Sequence, residues 1–353
     1  MADVVVNLGR RSPLALLALG PLAVVLDWLG AAGPLVVFVL AAAALIPLAW
    51  AIGEATEKAA YYTGPGVGGF LNATFGNAPE LIIALVAVSD GLTEVVRASL
   101  VGSVVGNLLL VLGFTLIFGQ RGPIDRASAA ISLGLVALTL LLLLITSVPG
   151  FHGDPDRRSL AELALPVAAF LLVVRVTVTR YALRRQRGLH QDDDPAEPAS
   201  WSFRTALAVL ALATLVTAFV TNSLVGSLEM FADRAHLSEF FVAIVIVAIV
   251  GNAAEHGSAV LLARRGKLLL ATEISFASSA QVAGLLIPLV ALVSWAIDPL
   301  TLSFRPVELA ALAVATVLPG LVLAHGRTTR LGGWILLLAY AGLVVVFSYA
   351  GNR

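Results

Sequence analysis

The chain has 353 residues, of which 59% are hydrophobic and 12% charged, and its mean hydropathy is +0.96. This composition excludes an ordinary soluble domain and is typical of a polytopic membrane protein. The net charge is zero, so it favours neither an acidic nor a basic partner, and the absence of cysteine excludes disulfides and thiolate metal sites.

A membrane-spanning helix needs roughly 20 apolar residues, and the hydropathy pattern predicts eleven spans. They are 14–30, 34–52, 63–89, 95–118, 127–148, 159–179, 204–226, 238–263, 268–296, 306–324 and 331–349. Because Arg10 and Arg11 precede the first apolar run, that run also resembles a signal peptide, whose removal would leave ten spans.

Basic residues predict the orientation. With the N-terminus in the cytoplasm, 15 of the 22 Lys and Arg residues lie inside and 6 outside, while Arg175 falls within a span. Only two of the basic residues, Lys58 and Lys267, are lysines, and Ala and Leu are abundant, which suggests a GC-rich bacterial genome. We therefore expect an integral protein of a bacterial cell (inner) membrane, with a cytoplasmic N-terminus.

A short motif occurs twice, as GNAPE at 76–80 and GNAAE at 251–255, an offset of 255 − 80 = 175. The same offset maps Ser103 onto Ser278. The motif helices are the third and eighth spans, so they run in opposite directions and the two halves form inverted repeats. The predicted fold is an all-α membrane protein with an N-terminal helix (1–32), a five-helix repeat (33–180), a cytoplasmic linker (181–202) and an inverted five-helix repeat (203–353).

The linker is the only strongly polar segment, basic at its start and acidic near its end. It is interpreted as a solvated connection, with a regulatory cation-sensing loop as the alternative. The acids on the predicted outer side are expected to be solvated loop charges. They are Asp90, Glu94, Glu229, Asp233 and Glu239.

Carboxylates near the middle of a span usually mark an ion path or binding site. Glu80 and Asn77 share a helix face, and Gly76 and Pro79 predict a local break that would expose backbone carbonyls beside them. Asn252 and Glu255 repeat the pattern in the second half. Hard oxygens of this kind suit calcium. The alternatives are structural protonated glutamates, and asparagines that only cap the broken helices.

Polar residues on the next helix of each half are candidates to complete the site. Ser103 and Asn107 follow the first motif, and Ser278 and Gln281 follow the second. The alternative is interhelical hydrogen bonding, which is favoured for Ser99 and Ser275.

Two further residues are candidates for proton transfer or gating. His256 follows Glu255 directly, and histidine titrates near neutrality. Glu57, three residues after Glu54, could draw cations toward the site or could belong to a solvated helix end beside Lys58.

The two motifs together resemble the signature repeats of the cation/proton exchanger family, which are calcium/proton antiporters of the calcium/cation antiporter superfamily. The matching segments are 71–82 (LNATFGNAPELI), 251–256 (GNAAEH), 55–57 (ATE), 102–113 (GSVVGNLLLVLG) and 278–281 (SSAQ). The chain departs from the family in its brief acidic linker and in Ala277, where glycine is common. The resemblance implies that Glu80 and Glu255 bind calcium and protons alternately, with the neighbouring polar residues completing the site.

The residues support the same expectation. Two carboxylates balance one Ca²⁺, and a bare buried pair would carry two negative charges, so protons should replace the departing ion. We expect a secondary antiporter that works by alternating access, without an enzyme activity, a resident cofactor or a nucleic-acid partner; a homo-oligomer is compatible with the sequence. The alternatives are a sodium/calcium-type exchanger, an antiporter for another divalent cation such as Mn²⁺, a passive cation channel and an intramembrane enzyme.

Overall fold

The computed structural model describes residues 16–119, 122–152, 154–189 and 201–351. Arg10, Arg11 and linker residues 190–200, on which part of the sequence analysis depends, lie outside these ranges. The described chain is built from helices. In chain order these are α1 (Leu19–Trp28), α2 (Pro34–Phe75), α3 (Ala78–Ser89), α4 (Thr93–Phe118), α5 (Arg126–Phe151), α6 (Arg158–Leu189), α7 (Phe203–Ala235), α8 (Glu239–Gly251), α9 (Ala253–Arg264), α10 (Leu268–Ala296), α11 (Pro306–Val322) and α12 (Arg330–Ala350).

Within the described residues, seven helices are long and apolar enough to cross a membrane, and the bent pair α8–α9 raises the count to eight if it forms one span. Three shorter apolar helices, α1, α3 and α11, accompany them. Each predicted span coincides with one or two of these helices. The chain is an all-helical integral membrane protein.

The segment between the second and third predicted spans is helical, and α2 continues from Pro34 to Phe75 without an interruption. This helix cannot be straight. At 1.5 Å per residue, a straight helix would carry Phe75 roughly 30 Å beyond Ala55. Instead, Phe75 and Ala78 pack in one hydrophobic cluster with Ala51 and Ala55. The chain therefore doubles back between 55 and 78.

The predicted helix breaks occur at both motifs. The first lies at Gly76 and Asn77, between α2 and α3, and the second at Asn252, between α8 and α9, whose axes differ by 58°. The two asparagines are 175 residues apart, as the repeat requires. Both breaks thus follow from the same local sequence.

The next helix after each broken pair, α4 in the first half and α10 in the second, contains a π-helical segment. α4 is π-helical over Gly106–Val111, and α10 is π-helical over Val282–Leu286. A third π-helical segment, Val242–Val247, lies in α8. Such segments are frequently found at functional sites, and those in α4 and α10 begin beside Asn107 and Gln281.

The most buried spans are α4 and α10, in which 83% and 67% of the most apolar stretch is buried, against 28% for α6, α7 and α12. α4 lies very close to α8, because a Cβ atom added to Gly102 would fall on the carbonyl oxygen of Ile244. Only glycine fits this contact. The core helices α4 and α10 are also those that carry the predicted polar residues.

Two arginines fix the N-terminal end of α4. Arg97 is buried and donates to Asp156 Oδ1 at 2.6 Å and to Thr301 Oγ1 at 3.0 Å. Arg305 donates to Glu94 Oε1 at 2.8 Å. The prediction that Glu94 is a solvated loop charge is therefore wrong, because a partner 211 residues away pairs with it.

Candidate functional site

The two motif carboxylates occupy equivalent positions in two short helices. Glu80 is the third residue of α3 and Glu255 is the third residue of α9. A carboxylate in the first turn interacts favourably with the helix dipole. The two breaks also meet, because a Cβ added to Gly251 would lie 3.4 Å from the Glu80 Cγ.

A chain of hydrogen bonds leads from Glu255 to the first half of the molecule. Ser278 donates to Glu255 Oε2, and Asn107 Nδ2 donates to Ser278 Oγ at 2.8 Å. The same nitrogen donates to Asn252 Oδ1 at 3.3 Å, and Asn252 Nδ2 donates to Ser103 Oγ at 2.8 Å. Five predicted site residues therefore form one buried network that alternates between the two halves.

Asn77 makes a separate contact across the same interface. Its Nδ2 donates to Gln281 Oε1 at 2.7 Å, whereas its buried Oδ1 has no hydrogen-bond partner. Neither Asn77 nor Asn252 caps the following helix with its side chain, although Ser202, Ser238 and Thr329 do so elsewhere. Asn252 Nδ2 does donate to Ala248 O, at the end of α8, at 2.9 Å. The alternative that the motif asparagines only cap the broken helices is nevertheless wrong, because both also bond to the other half.

Glu80 lies in a closed environment. The residue is 6% exposed, and its Oε2 has no hydrogen-bond partner. A cavity of ≈ 10 Å³, about the size of one water, lies beside it between Ser99 and Ser103. An unpaired buried polar oxygen is costly, so this arrangement suits a bound proton or cation.

Glu255 instead borders an open cavity of ≈ 510 Å³. Both halves line this cavity, which Gly76, Gly251, Ser258, Glu54 and Glu57 border. Lys58 Nζ lies 3.4 Å from Glu54 and 3.8 Å from Glu57, whose side chain is 75% exposed. Glu57 thus borders the open cavity and contacts Lys58, not the residues of the network.

His256 contacts the network from the other side. Its Nε2 lies 3.1 Å from Asn107 Oδ1. Because both hydrogens of Asn107 Nδ2 are directed at Ser278 and Asn252, the Asn107 oxygen is an acceptor here, so His256 carries a hydrogen on Nε2. His256 therefore fixes the orientation of the Asn107 amide.

Ser99 and Ser275 bond only within their own helices, at Val96 O (3.0 Å) and Ala271 O (3.4 Å). This agrees with a structural role, although Ser99 also borders the cavity beside Glu80.

The charged content of the site is small. Within the described ranges, no group of three or more His, Asp or Glu side chains is arranged to hold a metal ion. The site offers two carboxylates surrounded by neutral amide and hydroxyl oxygens. This set suits a divalent cation of hard character that is bound through oxygen.

Sequence reasoning missed the tight contacts made by Gly102 and Gly251 and the π-helical segments. The repeat offset of 175 contained a signal for the π-helical segments. It aligns Gly106, where the segment in α4 begins, with Gln281, which directly precedes the segment in α10.

A sequence model of the sodium/calcium exchanger protein family matches the chain twice, over 33–179 and 205–349. The chain belongs to this family. It is 35% identical to a Ca²⁺/H⁺ antiporter of Synechocystis sp. over 95% of this chain and 96% of the relative. It is 35% identical to the Ca²⁺/H⁺ antiporter ChaA of Bacillus subtilis over 88% of this chain and 92% of the relative.

The fold is similar to that of a solved structure of native YfkE, with a TM-score of 0.81 and 32% identity over 96% of this chain and 99% of that one. The resemblance to cation/proton exchangers is thereby confirmed.

Proposed function

We propose that the protein is a secondary antiporter that exchanges Ca²⁺ for H⁺ by alternating access, with both ions competing for Glu80 and Glu255. The observation that carries this proposal is the pairing of two first-turn carboxylates at two facing helix breaks, surrounded by neutral oxygens. The names of the similar proteins, Ca²⁺/H⁺ antiporters, agree with it.

Charge balance explains the coupling. Two carboxylates neutralise one Ca²⁺, whereas a site emptied of calcium would retain two buried negative charges, which are costly away from water. Protons restore neutrality, and only the neutral site crosses the midplane cheaply. Exchange follows from this condition without ATP.

The neutral groups hold and orient the carboxylates. Ser278 binds Glu255, and Asn107 orients Ser278. The unpaired oxygens of Asn77 and Glu80 are open for a cation. Asn252, Ser103 and Gln281 keep the two halves in register. These contacts support the full set of predicted ligands and neighbours.

The topology proposed for this activity has eleven spans, in which the bent pair and the three shorter apolar helices also cross the membrane. The two separate family matches support a division into repeats at 33–180 and 203–353, joined by the linker 181–202 and preceded by the helix within 1–32. With the N-terminus in the cytoplasm of a bacterium, the Glu54 and Glu57 end of the open cavity faces inward. Glu255 is then loaded from the cytoplasm.

His256 is proposed to act through Asn107, since its ring nitrogen contacts that amide and not a carboxylate. It orients the network and provides a further protonatable group beside Glu255.

Sodium/calcium exchange and transport of another divalent cation such as Mn²⁺ are the competing functions. Sodium exchange would require additional ligands, but the residues beside the carboxylates here are the neutral Asn107, Ser278 and Gln281. We favour protons for this reason.

The test is ⁴⁵Ca²⁺ uptake into proteoliposomes with an imposed pH gradient. A buried charge left without its partner costs about 3–5 kcal/mol, so Glu80→Gln and Glu255→Gln should each reduce uptake by about a hundredfold or more. Glu162→Gln is the matched control, because Glu162 is an exposed carboxylate paired with Arg158.

Uptake by the wild-type protein should collapse with a protonophore. Uptake that follows a sodium gradient and ignores pH would contradict proton exchange. Activity above a tenth of wild type in either glutamine variant would contradict the two-carboxylate site.

A further inference from the structure

A second cavity lies away from the ion site, between α5, α10 and α11. It has a volume of ≈ 170 Å³. Apart from Arg126, its walls are formed by apolar residues, half of which are alanine or glycine. These residues are Ile124, Ala129, Ala130, Leu133, Phe276, Gly320, Leu323 and Ala324. This space is large enough for a short stretch of an acyl chain.

One charged residue, Arg126, lies at the edge of this cavity. Its Nη2 donates to Ala324 O at 2.9 Å. Its side-chain stem lies across Gly326, where an added Cβ would be 2.7 Å from the Arg126 Cδ. Gly326 has φ +70°, a conformation that favours glycine. The guanidinium is therefore held in place by the turn beneath it.

The loops around Arg126 form a fixed frame. Ile124 N donates to Gly326 O at 3.3 Å, and Thr328 N donates to Gly122 O at 3.1 Å. Further exposed basic residues occupy the loop between α11 and α12 and the start of α12. They are His325, Arg327 and Arg330. The end of the cavity is thus bordered by positive charge.

The acids near this frame do not neutralise Arg126. Asp125 Oδ1 accepts from Ala127 N at 2.9 Å and from Ser128 N at 3.2 Å, so it caps α5. Glu273, one turn before Phe276 on α10, is half-buried. Neither forms an ion pair with Arg126 in the described part of the chain. The remaining guanidinium donors are therefore available to an outside anion.

We propose that this cavity is a binding site for an anionic phospholipid, with the start of an acyl chain between α5 and α11 and the phosphate on Arg126. Arginine binds phosphate through several aligned donors. The apolar space opens between helices that lie in the membrane, and the basic loops lie at its end, where lipid headgroups are found. The combination of an apolar wall and a fixed cation matches the two parts of a phospholipid.

The test uses the full-length protein in detergent, titrated with phosphatidylglycerol or phosphatidylcholine, with bound lipid counted by native mass spectrometry. One arginine near a membrane surface favours an anionic lipid by about fivefold. The wild type should show this preference, and Arg126→Gln should reduce it to less than about twofold. Arg158→Gln, which removes an exposed arginine beyond the opposite end of α5, should leave it unchanged.

A second variant protects the test against misfolding of the first. Ala130→Phe fills the mouth of the cavity but keeps Arg126, and it should weaken the binding of both lipids. Equal binding of the two lipids by the wild type, or an unchanged preference in Arg126→Gln, would overturn the proposal. Displacement of the lipid by inorganic phosphate would assign the site to a free anion and would overturn it as well.

Discussion

The two motif segments, 76–80 and 251–255, have nearly the same letters but different surroundings. Glu255 is bonded to Ser278 and borders a cavity of ≈ 510 Å³, whereas Glu80 lies beside a space of ≈ 10 Å³ with one oxygen unpaired. Asn252 makes three hydrogen bonds to other groups and Asn77 makes one. Equivalent sequences thus occupy different states in one conformation.

This difference shows how a repeated sequence can serve alternating access. Under the proposed topology, Glu255 borders the cavity that opens to the cytoplasm, whereas Glu80 is closed off from it. Because inverted repeats can exchange their conformations, the opposite state would open the route to Glu80 and close the route to Glu255. We therefore attribute the difference in access between Glu80 and Glu255 to the conformation.

The largest expected effect concerns access. The chain contains no cysteine, so single Ser→Cys variants give an unambiguous readout. Ser258 is exposed on the open cavity and Ser99 is buried beside Glu80. An impermeant thiol reagent added from the cytoplasmic side should label Ser258→Cys about a hundredfold faster than Ser99→Cys, which reacts only from a minor state populated on the order of 1%.

Labelling rates within about threefold of each other would show that the cavities beside Glu255 and Glu80 are equally accessible from the cytoplasm, and would contradict the proposed difference between them. Faster labelling of Ser258→Cys from the outer side would reverse the proposed orientation.

An intermediate effect is expected for the two asparagines. Asn252→Ala leaves the buried Ser103 hydroxyl without its partner and removes one of the contacts of Asn107, so it should destabilise the protein by about 2–3 kcal/mol. Asn77→Ala removes a single bond to Gln281 and should cost about 1 kcal/mol. Thermal unfolding in detergent and the KM for Ca²⁺ measure both variants. Equal losses of stability in the two variants would show that Asn252 contributes no more to the network than Asn77 does.

The smallest effect is expected at the mouth of the open cavity. Exposed charges act there through long-range attraction, which salt screens. Glu57→Gln should raise the KM for Ca²⁺ by about twofold at low ionic strength, and Lys58→Gln, which removes the opposing charge, should lower it. Both changes should disappear in high salt. A change that persists in high salt would place Glu57 among the direct ligands.

Much of this architecture could be predicted from sequence because its determinants are local. Apolar length indicates the spans, and Gly76 with Pro79 indicates one helix break. The repeat then transfers that break to Asn252. The same offset paired Ser103 with Ser278, which both belong to the observed network.

The rest depends on contacts that sequence separation hides. Glu94 and Arg305 are 211 residues apart, so hydropathy alone suggested a solvated acid. The reversal within α2 follows from packing against Ala51 and Ala55, and its helical character hides it from a search for loops. Which of the two carboxylates faces an open cavity could not be predicted, because the two motifs have nearly the same sequence and the cavities belong to one conformation.

The crossed hydrogen bonds have a consequence for biosynthesis. Asn77 bonds to Gln281, and both Ser103 and Asn107 bond to Asn252. During translation, the first half enters the membrane with these polar groups unpaired, and each unpaired group is costly in lipid. The nascent first half is therefore a marginal intermediate that only the arrival of α9 and α10 completes, so a chain truncated in the linker would be a substrate for membrane quality control.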